Sequence, residues 1–307
     1  MAITLFYKIV QLFTFLILGF ILVKTKVVKS ADSTVLSKIS LYLLMPSAII
    51  NAFDFELTAQ IGKGILLSFC AAIILHIVYF FLDKFFNKTL KTKAVERASI
   101  MYPNVGNLII PIVTFVLGAE WVLYSTAFLS VQLVFLWTHA IKIFSPNTKF
   151  SLKKILLNVN IIAIALGVIL MLCPFKLPMF VKDITSTLSG MMGPVGMIIA
   201  GMVASSLDFK KALKNRRLYM TAALRIVIYP FISLIVLKCL SYVAVPNVEK
   251  ILVITFFATM TPSAATIMQF AQIANEEPQY ATAINILTTV MCIASMPLYT
   301  ALYGLII

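Results

Sequence analysis

Charge is what this sequence has least of. Asp, Glu, Lys and Arg together make up 12% of its 307 residues, where a soluble domain carries about a quarter. Hydrophobic residues make up 61%, and the mean hydropathy is +1.03. That balance excludes an ordinary soluble fold and predicts an all-α integral membrane protein, because only segments that satisfy their own backbone hydrogen bonds can cross hydrocarbon. Four cysteines, Cys70, Cys173, Cys239 and Cys292, sit in or beside apolar stretches with no CxxC pattern, which argues against disulfide and metal frameworks. HExxH, Gly-x-Ser-x-Gly and paired aspartates are all missing, which argues against an intramembrane enzyme. No Asp or Glu falls near the middle of an apolar run, so the buried carboxylate of a proton-exchanging antiporter is missing as well. No cofactor is expected beyond a sodium ion or a proton as coupling partner. The net charge of +14 does not indicate nucleic acid, because the basic residues come in short runs between apolar segments.

Those segments number ten. A span needs about 20 mainly apolar residues, and the chain offers such stretches roughly at Ile3 to Val23, Val35 to Phe53, Gly62 to Leu82, Ala94 to Leu117 and Trp121 to Phe144. Five more follow at Ile155 to Leu172, Ile184 to Ser206, Leu218 to Leu237, Glu249 to Ala274 and Tyr280 to Ile306. The first lacks a basic leader and a small-residue cleavage site, so it reads as a helix and not as a removed signal.

The basic residues set the orientation. With both termini outside the cell membrane, the groups Lys24 to Lys38, Lys84 to Arg97, Lys142 to Lys154 and Lys210 to Arg217 face the cytoplasm, 18 of the 25 Lys and Arg. Lys8 lies near the outer end of the first segment, where its ammonium can snorkel.

Ten segments divide into two sets of five, and an odd number forces any repeat of the first half to be upside down in the second. Pro46 and Pro194 lie 148 positions apart, and Pro111 and Pro262 lie 151 apart, which suggests such an inverted repeat. The expected division is a first five-helix repeat over 1–144, a cytoplasmic linker over 145–154 around Ser145-Pro146-Asn147, and a second repeat over 155–307.

Two polar, Pro-containing interruptions occupy matching places in the two halves. One is Tyr102-Pro103-Asn104-Val105-Gly106-Asn107, continuing to Pro111; the other runs from Thr259 through Thr261-Pro262-Ser263 to Thr266. A helix opens at membrane depth only where the gap faces protein or a water-filled cavity, and a pair of such breaks is the sequence mark of a transporter site. Thr261 and Pro262 suit an N-cap and first helical residue, with Ser263 and Thr266 in the turn that follows. Asn107 or Ile110 would play the same part before Pro111, and Gly106 tolerates the left-handed or extended backbone of an unwound stretch. The half-helices after the breaks would aim their positive ends at one volume and favour an anion. Asn104, Asn107, Thr261, Ser263, Thr266 and Gln269 would supply side-chain hydrogen bonds. The plainer reading is that the prolines kink two helices and the polar side chains hold helices together.

At this point the residues resemble a family. Asn104-Val105-Gly106-Asn107-Leu108-Ile109-Ile110-Pro111 is similar to the Asn-x-Gly-x-x-x-x-Pro element in the fourth helices of the auxin efflux carrier family, which includes plant PIN carriers and bacterial malonate or malate permeases. Thr261-Pro262-Ser263-Ala264-Ala265 with Gln269-Phe270-Ala271-Gln272 resembles that family's ninth helix, Leu41 to Pro46 its second, and Arg225 to Pro230 its eighth. The resemblance spans the chain. It implies ten helices of the bile-acid-symporter and sodium/proton-antiporter type, with helices 4 and 9 crossing at broken midpoints. It also implies a scaffold of helices 1, 2, 6 and 7, often the homodimer contact, and a mobile core of helices 3–5 and 8–10. The Ser263-Ala264-Ala265 stretch and the lack of a long cytoplasmic loop depart from many plant relatives, so small mono- or dicarboxylates are expected before auxin.

Three groups inside the segments remain. Arg225 would either neutralise a carboxylate substrate or pair with carbonyls at a broken helix. His76 and His139 would either relay protons or pack as neutral rings. The expected function is a secondary or facilitative carrier that moves a small organic anion by an elevator motion. The alternatives are a sodium-coupled organic-anion symporter and, more remotely, a sensor or an intramembrane enzyme.

Overall fold

Pro46 and Pro230 each follow a widened helical turn, which is how this chain carries proline through long helices. A proline ring strikes the carbonyl four residues back; here those carbonyls belong to Tyr42 and Ile226, both inside π turns at Ser40–Leu44 and Leu224–Ile228. The computed structural model describes residues 2–53, 59–145, 153, 156–172, 177–206, 212 and 214–307. Except for Ser145 and Lys153, the expected linker lies outside them.

In chain order the helices are α1 (Ala2–Lys24), α2 (Ser33–Ile39), α3 (Met45–Ala52), α4 (Ala59–Leu90), α5 (Ala94–Met101), α6 (Val105–Val116) and α7 (Val122–Phe135). Then come α8 (Ile141–Phe144), α9 (Val159–Leu172), α10 (Met179–Ala204), α11 (Arg216–Ala223), α12 (Tyr229–Leu240), α13 (Val248–Met260), α14 (Ala265–Ala274) and α15 (Pro278–Ile306). A third π turn, Leu136–Ala140, joins α7 to α8. Helix therefore occupies every apolar segment read from the sequence. Six continuous helical stretches among the described residues are long and apolar enough to cross a membrane, running over 30–51, 61–90, 122–144, 179–204, 216–240 and 278–306. Phe13–Lys24 and Val159–Leu172 are shorter apolar helices. The fourth and ninth segments are divided into α5 and α6, and into α13 and α14.

Local chemistry fixes where these helices begin. The Glu96 carboxylate accepts the Lys93 N–H at 2.8 Å and caps α5, and the Asn215 side chain accepts the Arg217 N–H at 3.0 Å at the start of α11. Pro278 opens α15, where its missing N–H costs nothing.

Packing places the divided helices at the centre. From Ile251 to Met260 every residue of α13 is buried, and so is every residue of α7 from Val122 to Leu133. A helix apolar on all sides needs neighbours on all sides. α13 finds them in α4, α6 and α7 from the first half, while α5 packs on α11, α14 and α15 from the second, so each half's broken segment is held by the other half. Elsewhere α1 packs against α10 through glycines. A Cβ on Gly201 would stand 1.9 Å from the Leu16 carbonyl oxygen, and one on Gly19 would stand 2.2 Å from that of Ile198. Without a hydrophobic drive between helices in lipid, such backbone approach is a main source of association.

Candidate functional site

The two breaks meet. Asn104 donates its N–H to the Pro262 carbonyl at 2.8 Å, Ala264 donates to the Tyr102 carbonyl at 2.9 Å, and Pro103 and Ser263 form an antiparallel bridge between them. The pairing is reciprocal: exchanging the two breaks reproduces the same two bonds. It relates positions 160 apart, not the 151 that Pro111 and Pro262 suggest.

Three local expectations are corrected. Thr261 closes α13 instead of opening the next helix. Its hydroxyl donates to the Ala258 carbonyl at 2.8 Å, its backbone is extended, and α14 begins only at Ala265. The first break falls at 102–104, with Pro103 as its proline, while Pro111 lies inside α6 and Asn107 in that helix's first turn. Gly106 is helical too, so its value is not backbone freedom; a Cβ there would stand 2.2 Å from the Met45 Cε. The side chains of Asn107, Pro111 and Gln269 lie outside the described residues.

Side chains from both halves satisfy the backbone groups that the breaks expose. Gln132 on α7 donates to the Pro103 carbonyl at 2.7 Å, and Asn285 on α15 donates to the Ser263 carbonyl at 2.5 Å. The Thr288 hydroxyl accepts the Ser263 N–H at 3.1 Å, and the Cys292 thiol reaches the Met260 carbonyl at 3.3 Å. Arg225, with 0% of its surface exposed, lies at the C-terminal ends of both leading half-helices. Its guanidinium donates to the Ile100 carbonyl at 3.0 Å, to the Thr261 carbonyl at 3.1 and 3.2 Å, and to the Thr259 carbonyl. Of the two roles open to Arg225 in the sequence, the geometry displays the carbonyl tie. A cation fits there because two helix C-termini concentrate partial negative charge.

On one side of the bridge a cleft opens, with about 600 Å³ of atom-free space when its mouth is included. Pro103, Asn104 and Gly106 from the start of α6, and Ala264, Ala265 and Thr266 from the start of α14, form its floor. Gln132 adds an amide. Ser37 and Ser40 add hydroxyls, and Leu41, Met45, Leu133 and Ile199 give it apolar walls. No cationic side chain lines it among the described residues. Asn104 is 7% exposed and makes no side-chain cap to α6. The Gln132 Oε1 and the Ser263 Oγ are buried without a partner. Among the residues named from sequence, Asn104, Gly106 and Thr266 line the cleft; Thr261 and Arg225 lie behind it, and Pro262 faces an apolar pocket on the bridge's other side with Phe13, Leu108, Met197 and Met296. Gln132 and Asn285 were missed. Each is an amide alone in an apolar segment, a weak signal that could have drawn attention.

The histidines take different places. His76 is fully buried, its Nδ1 donating to the Ala72 carbonyl at 2.8 Å and its Nε2 unpartnered. His139 is half-buried on the π turn, with Nδ1 2.8 Å from the Tyr102 hydroxyl. Among the described residues two acids are also buried. α4 runs beyond the expected Leu82 end, so Asp83, 4% exposed, lies within it and binds Arg97 at 2.6 and 3.0 Å. Glu96 binds Arg217 at 2.5 and 2.7 Å and accepts the Tyr280 hydroxyl at 2.9 Å.

Helices long and apolar enough to cross a membrane, together with two broken apolar segments bridged beside a polar cleft, fit a multi-pass membrane transporter. The family model described as membrane transport protein matches residues 4–151 and again 146–300. The chain belongs to that family, the auxin efflux carrier and PIN-like transporters. No curated protein matches it closely enough to be counted a relative.

Proposed function

We propose that this transporter carries a small organic anion across the cell membrane through the cleft at the bridged breaks, in a secondary or facilitative mode. The observation that carries the reading is that α6 and α14 both begin at the floor of the cleft. Each helix start contributes about half a positive charge and free N–H donors. Asn104, Gln132 and Thr266 supply the hydrogen bonds that orient the anion, and Arg225 adds positive potential from behind the floor without touching it. With no cationic side chain on the walls among the described residues, a monocarboxylate with an apolar body suits the cleft better than a dicarboxylate.

The proposed architecture is ten spans in two inverted five-helix repeats, with a scaffold from segments 1, 2, 6 and 7 serving as the homodimer contact. Three features support it: the reciprocal bridge, the exchange of packing partners between halves, and the join of the two family matches at 146–151, within the expected linker. The termini lie outside. Ser37, early in the segment that follows Lys24 to Lys29, then places the cleft mouth on the cytoplasmic side. The moving body is the core, which the Glu96, Arg217 and Tyr280 cluster ties together across α5, α11 and α15. It slides against the scaffold as in an elevator.

Flux of labelled mono- and dicarboxylates in proteoliposomes is the deciding measurement; entry of neither class above protein-free vesicles would reject the reading. A second reading, sodium coupling, draws on the unpartnered Gln132 Oε1 and Ser263 Oγ as oxygen ligands. It requires that replacing sodium with potassium abolish uptake.

A further inference from the structure

Tyr102 carries one hydroxyl proton, yet its oxygen lies 3.2 Å from the Phe135 carbonyl and 2.8 Å from the His139 Nδ1. A carbonyl only accepts. If the hydroxyl donates to Phe135, the contact to His139 is a hydrogen bond only when Nδ1 carries a hydrogen and donates to the tyrosine oxygen. If Nδ1 is bare, it takes the hydroxyl proton and the Phe135 carbonyl loses its partner. Both contacts are satisfied together only with Nδ1–H, which leaves Nε2 as the atom free to gain or lose a proton.

We propose that His139 is a proton-binding site of this transporter and that Tyr102 reports its protonation to the crossover. A proton from water adds to Nε2 and gives an imidazolium with no bare nitrogen. The Tyr102 hydroxyl is then held in one orientation, accepting from His139 and donating to Phe135. Loss of that proton leaves the neutral Nδ1–H ring, a weaker donor that holds the hydroxyl less firmly. Low pH therefore tightens the arrangement and high pH loosens it.

Two links lead from His139 and Tyr102 to the cleft. Tyr102 itself accepts the Ala264 N–H in the bridge, and Leu136 lies on the same π turn as His139; Ala264 and Leu136 both line the cleft. The charged and titratable groups acting on His139 are Asp83 on α4, Arg97 on α5, Tyr102 at the break and Lys142 on α8. The Asp83 carboxylate is already bound by Arg97. The Phe80 ring, 4.1 Å away between centroids, covers one face. His76 serves as an internal contrast, because its ring is fully buried.

The chain has two histidines, so both imidazoles can be followed in one experiment. The full chain, carrying a tag without histidine and labelled with nitrogen-15 histidine, is placed in lipid nanodiscs and titrated by NMR without substrate. His139→Gln assigns the two signals. His139 should be the Nδ1–H tautomer when neutral and should gain its second proton as pH falls, while His76 stays neutral. Tyr102→Phe removes a hydrogen bond to the charged ring and should lower the His139 midpoint by about one pH unit. A fluorine probe on Ala265→Cys, with the native cysteines replaced, should shift with that same midpoint and lose the shift in His139→Gln. An Nε2–H tautomer, a midpoint unmoved by Tyr102→Phe, or a probe that ignores His139 would overturn the proposal. If Tyr102→Phe does not fold, the wild-type tautomer and the probe still decide. None of these readouts uses substrate, so they stand or fall separately from the transport assay.

Discussion

The guanidinium of Arg225 and the carbonyl of Ile100, 125 positions apart in the chain, meet at 3.0 Å in the buried centre of the bundle. The same guanidinium holds the carbonyls of Thr259 and Thr261, so one side chain closes the ends of both α5 and α13. Three buried carbonyls of two broken helices thereby find a partner that hydrocarbon cannot offer.

Arg225→Gln is expected to destabilise the protein by at least about 3 kcal/mol, since hydrogen bonds to a charged donor contribute about 1.5–3 kcal/mol each. Arg225→Lys should recover only part, because an ammonium lacks the planar fork. Thermal unfolding in detergent reads the loss, and a surviving Gln variant should lose somewhat more affinity for anionic than for neutral ligands, because the positive potential behind the floor is gone. An unchanged unfolding temperature with selective loss of anion binding would instead place Arg225 on the substrate.

Asn104→Ala and Gln132→Ala should each weaken binding of a transported carboxylate about five- to a hundredfold while the protein stays folded and inserted. That range corresponds to about 1–3 kcal/mol for the loss of one buried polar partner. Calorimetry on purified variants checks it, and unchanged affinity in both would move the binding site away from the cleft floor.

Gly201→Ala should cost about 1–3 kcal/mol, because its new Cβ would meet the Leu16 carbonyl and backbone cannot step aside as a flexible side chain can. Gly62→Ala, where nothing stands within 4 Å, is the matched control and should be nearly neutral. Equal unfolding temperatures for the two variants would show that α1 and α10 separate more easily than their packing implies.

Membrane topology can be read by labelling from one side. Single cysteines at Lys88 and Lys214, both exposed, should react only with reagent on the cytoplasmic side, and one at the exposed Tyr242 only with reagent outside. The opposite pattern at two of the three positions would invert the orientation.

The two breaks were legible because polar residues and proline inside an apolar run have few reasons to be there, and Asn104 and Thr266 line the cleft beside them. Their register was not. Thr261-Pro262 carries the sequence mark of a helix start, yet Thr261 ends α13, because tertiary partners for Ser263 and Ala264 hold the chain extended for three more residues. Pro111 looked like the break and is not. The α6 helix accommodates it, while Pro103 lies opposite Ser263.

Composition alone determined that this chain is helical and membrane-embedded, since hydrocarbon leaves an apolar segment little choice but to satisfy its own backbone. Family membership was likewise carried by local motifs. Which breaks meet, and through which atoms, was decided only by the tertiary structure. The bonds from Asn104 to Pro262, from Ala264 to Tyr102 and from Arg225 to Ile100 join residues more than a hundred positions apart, and no local preference encodes them. The two roles open to Arg225 were chemically equivalent on paper; the nearness of two helix ends in space is what separated them.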